Sequence, residues 1–133
     1  MTSTGTGSNL IVGVDPGRDI GVAEIWDHDT FNWWESRDPI VVVGRILGLR
    51  PRVVALEMYA GSGPVGKDGA FTIRVEGYLY YTLCNAGISV VRRTSQARLH
   101  QIEEAEKHLP LHAQRHMKDA LAHALGLRGK EFG

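Results

Sequence analysis

Ile11-Val12-Gly13-Val14-Asp15-Pro16-Gly17 is an apolar, β-branched run that stops on a carboxylate and then turns. A continuous apolar run of this length reads as a strand buried on both faces. Pro16 fixes φ and Gly17 permits positive φ, so the chain reverses directly after the acid. A carboxylate at the end of a buried strand is costly unless it is paired, hydrogen-bonded or holding a cation. The chain repeats the device once: Val53-Val54-Ala55-Leu56 runs into Glu57.

Working outward, Leu10 to Asp15, Ile20 to Trp26 and Thr30 to Trp34 read as three strands of an antiparallel meander, with a turn at Asp27-His28-Asp29. Pro39 to Leu49 reads as a helix with Asp38 as N-cap and Pro39 at its first position. The Val41-Val42-Val43 run opposes that reading. A fourth strand spans Arg52 to Met58, and Ala60 to Gly69 is a glycine-rich loop. Phe71, Val75, Tyr78, Leu79 and Leu83 form a helical stripe that ends at Asn85-Ala86-Gly87. Ile88 to Val91 is a short fifth strand. Helices over Gln96 to His108 and Gln114 to Leu127 complete the chain. Met1 to Ser8 is Thr/Ser/Gly-rich and reads as a disordered lead-in, leaving residues 9–133 as one domain.

This order predicts an α/β fold: a five-stranded mixed sheet, its first three strands antiparallel, flanked by helices. It is the order of a ribonuclease-H-like fold. There the first and fourth strands lie side by side, so Asp15 and Glu57 meet at their carboxyl ends, where ligand sites form in such sheets.

Composition excludes several classes. The 133 residues are 43% hydrophobic, which suits one globular domain. Cys84 is the only cysteine, so neither a disulfide nor a zinc cluster organises the chain, and in an apolar helical stretch it reads as a small core residue. No apolar run is long enough to span a membrane and no signal peptide is visible, so the default location is the cytoplasm. The formal net charge is zero, which by itself does not suggest nucleic acid. The distribution is uneven: residues 1–90 carry seven positive and ten negative side chains, residues 91–133 eight and five.

His116-Met117-Lys118-Asp119 places a histidine and an acid on one face of the last helix. With Asp15 and Glu57 these make four candidate metal ligands and catalytic groups. Phosphodiester hydrolysis needs an activated water, a stabilised leaving oxygen and a neutralised phosphate, and two cations about 4 Å apart supply all three. Hard ions such as Mg²⁺ take oxygen ligands and keep several waters. In this reading Asp15 lies between two ions, Glu57 holds one, Asp119 closes the site, and His116 ligates or positions the water. Taken singly each residue has a plainer reading: a turn Asp, a strand-capping Glu, a solvated helix pair. The four together, at these element ends, do not.

Three segments then resemble the RuvC family of Holliday-junction resolvases, within the RNase-H-like superfamily: Ile11-Val12-Gly13-Val14-Asp15-Pro16-Gly17 with Gly21, Val54-Ala55-Leu56-Glu57, and His116 to Leu125. Arg74-Val75-Glu76-Gly77 resembles the Arg-Gly pair on that family's long helix. The resemblance spans about residues 10–127. It implies a metal-dependent, structure-selective endonuclease that resolves four-way junctions by paired symmetric nicks. It also implies two Mg²⁺ per active site, with Mn²⁺ able to substitute, branched DNA as partner, and a homodimer with twofold symmetry. Asp15, Glu57 and Asp119 are then metal carboxylates, and His116 stands where the family has a fourth acid or a histidine.

The chain also departs from the family. Its aromatic lies three residues past the second acid, whereas Tyr59 lies two past Glu57. The stretch between Arg98 and His116 is short, and Arg92, Arg93 and Arg98 stand in for the basic residues usually carried there. With Tyr59, Lys67, Arg74 and Lys118 they are the candidate DNA contacts. Two other readings stay open: a nuclease with broader selectivity for flaps, forks or other branched DNA, and an inactive RNase-H-like module that only binds nucleic acid. Gly61-Ser62-Gly63-Pro64 with Gly66-Lys67 lacks P-loop spacing and is not a nucleotide site; it reads as a mobile loop that orders on DNA. His123 reads as a capping or surface histidine ahead of a partner to the site. His100, His108 and His112 read as surface residues. Trp33 and Trp34 alternate faces, one to the core and one partly exposed. Tyr80 and Tyr81, with Phe71, are candidates for a subunit contact.

Overall fold

A computed structural model describes residues 9–27, 30–59, 66–110, 114–128 and 130. The proposed lead-in, His28 and Asp29 of the first turn, most of the glycine-rich loop and His112 lie outside these residues. The order is β1 (Ile11–Asp15), β2 (Ile20–Ile25), β3 (Phe31–Ser36), α1 (Pro39–Leu49), β4 (Val53–Met58), α2 (Lys67–Asn85), β5 (Val90–Thr94), a 3₁₀ turn (Ser95–His100), α3 (Ile102–His108) and α4 (Arg115–Leu127). The sheet runs β3-β2-β1-β4-β5. β1 pairs antiparallel with β2 and parallel with β4, so the meander and the crossover meet at β1, as the sequence order predicts.

Two apolar layers cover the two faces of the sheet. Leu10, Val12, Val14, Val22 and Leu56 face α1 and α2, which bring Val42, Ile46, Leu79 and Leu83 to that layer. Ile11, Ala23, Val53 and Ala55 face α3 and α4, which bring Ala105, Ala120, Leu121 and Ala124 to the other. Every residue of β1 and β2 is buried, which is why both strands lack the polar alternation of a half-exposed strand. Glu24 is the exception in composition. It is 1% exposed and satisfied by the indole N–H groups of Trp26 and Trp34 and the amide of Asn32.

Helix α1 has the boundaries its caps predict. The Asp38 side chain accepts from the Ile40 N–H at 2.9 Å, Pro39 opens the helix, and Arg50 closes it in the left-handed region at φ 53°. Burial of Val42, Val43 and Ile46 outweighs the poor helix propensity of the valine run. Other expectations are corrected. Helix α2 begins at Lys67, inside the stretch read as loop. Tyr78 is 39% exposed rather than part of the buried stripe, whose members are Val75, Leu79 and Leu83. Cys84 is exposed, not core. Strand β5 starts and ends later than the apolar residues suggested and includes Arg92 and Arg93. The single helix expected over Gln96 to His108 is a 3₁₀ turn and a short α-helix that meet at Gln101. Trp33 and Trp34 are both half-buried, each against a different apolar layer.

Helix α4 approaches the sheet backbone to backbone at two glycines. A Cβ built on Gly13 would lie 1.9 Å from the Ala120 carbonyl oxygen, and one on Gly21 2.5 Å from the His116 carbonyl oxygen. Both obstacles are backbone, so neither can step aside, and α4 rests directly on β1 and β2. By contrast, a Cβ on Gly44, exposed on α1, meets nothing within 4 Å. Gly13→Ala is therefore expected to cost about 3 kcal/mol or more, the upper range for overpacking. Gly44→Ala should gain about 0.5–1 kcal/mol by removing helix-interior glycine entropy. Urea denaturation of the two variants checks both signs.

Candidate metal centre

The register places the site. Val14 of β1 is opposite Leu56 of β4, so the next residues, Asp15 and Glu57, stand side by side at the carboxyl ends of the two strands. The Gly13 and Gly21 contacts fix α4 above them, with Ala120 over β1 and His116 over β2. Asp119 and His116 therefore project at the same sheet end. All four side chains, with Ser95, Arg98 and Arg115, line one cleft of about 490 Å³.

Asp15 is 9% exposed and Asp119 8%. Burial first, then the Glu57 and Asp119 carboxylates, push the Asp15 carboxyl from 3.8 up to about 9, and Asp15 shares a hydrogen bond with Glu57. Three acids crowded into one cleft cannot all be ionised unless a cation lies among them. Each of the other candidates has a partner within the chain. His123 Nε2 lies 2.8 Å from Glu57 Oε1. The other ring nitrogen, Nδ1, is buried and has no hydrogen-bond partner among the described residues. Arg98 Nε donates to Asp119 Oδ1 at 2.9 Å, and Arg115 Nε stands 3.9 Å from Oδ2. His116 Nε2 pairs with Glu35 of β3.

As these side chains stand, no three His, Cys, Asp or Glu among the described residues are grouped closely enough to enclose an ion. The chemistry of the set nevertheless fits a hard divalent cation. It offers carboxylate oxygens and one imidazole, and its central acid is buried against two more carboxylates, an arrangement that added positive charge would relieve.

The seven candidate DNA contacts divide by their surroundings. Tyr59, just beyond β4, is 39% exposed, and Lys67 and Arg74 are exposed at the start and on the outer side of α2. Lys118 lines a second cleft of about 430 Å³ with Arg98, Ile102, Glu106, Arg115 and Asp119. Arg92 is bound to buried Glu76 at 3.0 Å and lies over the Tyr80 ring. Arg93 donates to the carbonyls of His123 and Ala97, with its guanidinium against Gly126. Arg92 and Arg93 are thus tied into the fold.

Sequence reasoning missed two residues of the site region and ranked the surface reading of a third, His123, above its place beside the site. His123 is fully buried against Glu57, not at the surface as expected. It lies seven residues after His116 and four after Asp119, the helical spacing on which the alternative reading as a partner to the site rested. Glu35 and Arg115 carry no such signal. Glu35 becomes visible only through the β2–β3 register that puts it opposite Gly21.

The fold of this chain is like that of solved RuvC structures. No protein-family model and no curated protein matches the sequence. Among solved structures, it is similar to Thermus thermophilus RuvC in complex with Holliday junction substrate, with 19% identity over 88% of this chain and 90% of that one, at a TM-score of 0.68. A structure described as Thermus thermophilus RuvC matches at 17% identity over 88% and 92% of the two chains, at a TM-score of 0.64.

Asp15 also makes stability depend on pH. Its folded-state affinity for a proton is raised, so between about pH 4 and pH 9 the folded chain binds more protons than the unfolded one, and stability falls as pH rises. In chelator, the wild-type melting temperature should drop between about pH 5 and pH 8. Asp15→Asn should flatten that slope and melt higher at the alkaline end. Parallel slopes for the two proteins would show that Asp15 is not the group responsible.

Proposed function

We propose that this chain is a metal-dependent endonuclease acting on branched DNA, and specifically that it resolves four-way junctions by paired symmetric nicks. One observation carries the reading: Asp15, Glu57, Asp119 and His116, from two adjacent strand ends and one helix face, line a single cleft in a RuvC-like fold.

Asp15, Glu57, Asp119 and His116 would hold the ions, two per site, with Mg²⁺ the hard-ligand choice and Mn²⁺ a substitute. Bound there, divalent cations supply an activated water and neutralise the leaving oxygen. The chain supplies the rest. Asp15, in its ionised form, would be one of the carboxylate ligands. His123 keeps the Glu57 carboxylate turned toward the cleft by holding one of its oxygens. Glu35 takes Nε2 of His116, so Nδ1 is the nitrogen left to face a ligand or water. Lys118 and Arg115 beside the cleft, and Tyr59, Lys67 and Arg74 beyond it, are the side chains proposed to meet the DNA.

The two Thermus structures are of RuvC, one of them with Holliday junction substrate. Paired nicks in strands of like polarity require two such clefts on one face, which a twofold-symmetric homodimer provides.

Labelled four-way junction, flap and linear duplex incubated in Mg²⁺ and in Mn²⁺, with nick positions mapped, test the proposal. Symmetric paired nicks in the junction and an intact duplex are expected. Equal cutting of flaps would move the assignment to a broader branched-DNA nuclease. Asp15→Asn, Glu57→Gln and Asp119→Asn should each lower cutting by at least about 10²-fold, the scale of losing one electrostatic stabiliser, with junction binding retained. Full cleavage by any of the three would falsify the site. His116→Ala should lose less or change metal preference, and unaltered rates in both metals would remove it from the site.

A further inference from the structure

Arg98 stands between two clefts. It lines the one that holds Asp15, Glu57, His116 and Asp119, and also the second one, where Arg115 and Lys118 are found. Its side chain is 16% exposed and that of Asp119 12%, so their 2.9 Å pair is largely out of water. The far end of the guanidinium is anchored as well, because Nη1 donates to the Ser95 carbonyl. A carboxylate buried to this degree needs a counter-charge, and here the counter-charge is Arg98.

That arrangement conflicts with the use of Asp119 as a metal ligand. Nε of Arg98 claims Oδ1, and a divalent ion on that carboxylate would stand against a guanidinium of like charge at contact distance. The two cations are alternatives at one anion. Arg98 has somewhere to go, since it already borders the second cleft. There Arg115 and Lys118 carry positive charge, and Glu106 is the acid at the rim besides Asp119 itself. A third cation added to that pair suits an anion bridging them, and a DNA backbone phosphate has the charge and the paired acceptor oxygens that a planar guanidinium favours.

We propose that Arg98 is an exchangeable counter-ion: it neutralises Asp119 in the metal-free protein, yields that carboxylate to the divalent ion, and then joins Arg115 and Lys118 in holding a DNA phosphate beside the cleft. The inference rests on the metal-dependent reading above and adds a positioning residue to it. Arg98 also draws down the proton affinity of Asp15, but this is the smallest of the influences on that group.

The experiment reads metal binding, not cleavage. Mn²⁺ is titrated calorimetrically into the full chain without DNA, as wild type, Arg98→Gln, Arg98→Lys and Asp15→Asn. Arg98→Gln should bind Mn²⁺ roughly tenfold more tightly, the scale of one charge-assisted hydrogen bond no longer to be broken, and Arg98→Lys should fall between it and wild type. Mn²⁺ binding that Asp15→Asn abolishes but Arg98→Gln leaves unchanged or weakens overturns the exchange and leaves the metal centre standing. Wild-type protein that binds no Mn²⁺, or binds it equally without Asp15, overturns the metal centre and the exchange with it. The phosphate half is read from the binding of a four-way junction in EDTA and in Ca²⁺. Wild type should tighten on adding Ca²⁺ by several-fold more than Arg98→Gln, and equal tightening overturns that half. Should Arg98→Gln fail to fold, Arg98→Lys carries both readouts in the same directions.

Discussion

The height of α4 above the sheet governs this molecule. A helix usually rides on a layer of side chains, but here the layer is missing at Gly13 and Gly21, and the carbonyls of Ala120 and His116 occupy the space. The helix answers with small residues of its own: Ala120, Ala122 and Ala124 are fully buried. Backbone therefore meets backbone, and the distance cannot relax as a contact between flexible side chains can. Asp119 immediately precedes Ala120, and His116 lies one turn earlier, so the same contact sets where both stand relative to Asp15. A larger residue at either glycine would lift the helix and open the cleft. The carboxylate geometry is thus a consequence of two absent side chains some distance from it.

Once the acids are brought together, their mutual repulsion has to be met, and the chain meets it in three different ways. The proton affinity of Asp15 is raised by burial and by the two neighbouring carboxylates, which favours its neutral form. Asp119 has a guanidinium, and Glu57 has an imidazole N–H from the core. A third pair, His116 with Glu35, extends the network onto β3. The first two solutions are reversible without refolding, because a proton can leave and a side chain on a short 3₁₀ turn can move. His123 is different. It is fully buried on α4 and cannot leave Glu57 without disturbing the core, so it acts as a fixed support.

The fold was legible in the sequence wherever a local rule and the tertiary environment agreed. Strands β1, β2 and β4 are continuous apolar runs because they are central, and α1 is bounded by an Asp-Pro start that is chemically unambiguous. Legibility ended where a residue's partner lies far along the chain. Strand β5 looked finished at Val91 because two arginines follow. Their partners are buried Glu76 for Arg92 and the carbonyls of Ala97 and His123 for Arg93, and those partners let both side chains remain in a strand. Local sequence patterns carry no trace of Glu76 or His123 in those roles. Cys84 and Tyr78 failed for a related reason. The hydrophobic stripe of α2 is narrower than its composition suggests, and residue type alone does not say which apolar side chains lie at its margin. The candidate ligands could be named in advance because each ends an element or shares a helix face with one that closes the cleft. Glu35 and Arg98 could not be assigned their roles, because these depend on the distant residues of α4, His116 and Asp119, that fold against them.

The same distinction reframes the charge balance. A net charge of zero argues against a polyanionic partner only if every charge is equally available to solvent. Here the acids at the cleft are neutralised internally, and the internal partners of Arg92 and Arg93 remove those cations from the surface tally as well. What a DNA backbone would meet is the remainder. Arg115 and Lys118 border the second cleft, and Lys67 and Arg74 are exposed on α2. Affinity for a phosphate backbone follows the number of cations free to displace condensed counter-ions, not the sum over the chain. A neutral chain can therefore bind DNA locally if its negative charge is gathered where positive charge, whether proton, guanidinium or metal ion, already answers it. On the proposed reading the acidic cleft and the basic rim are two halves of one arrangement, and Arg98, which touches both, is the side chain through which the state of one is felt by the other.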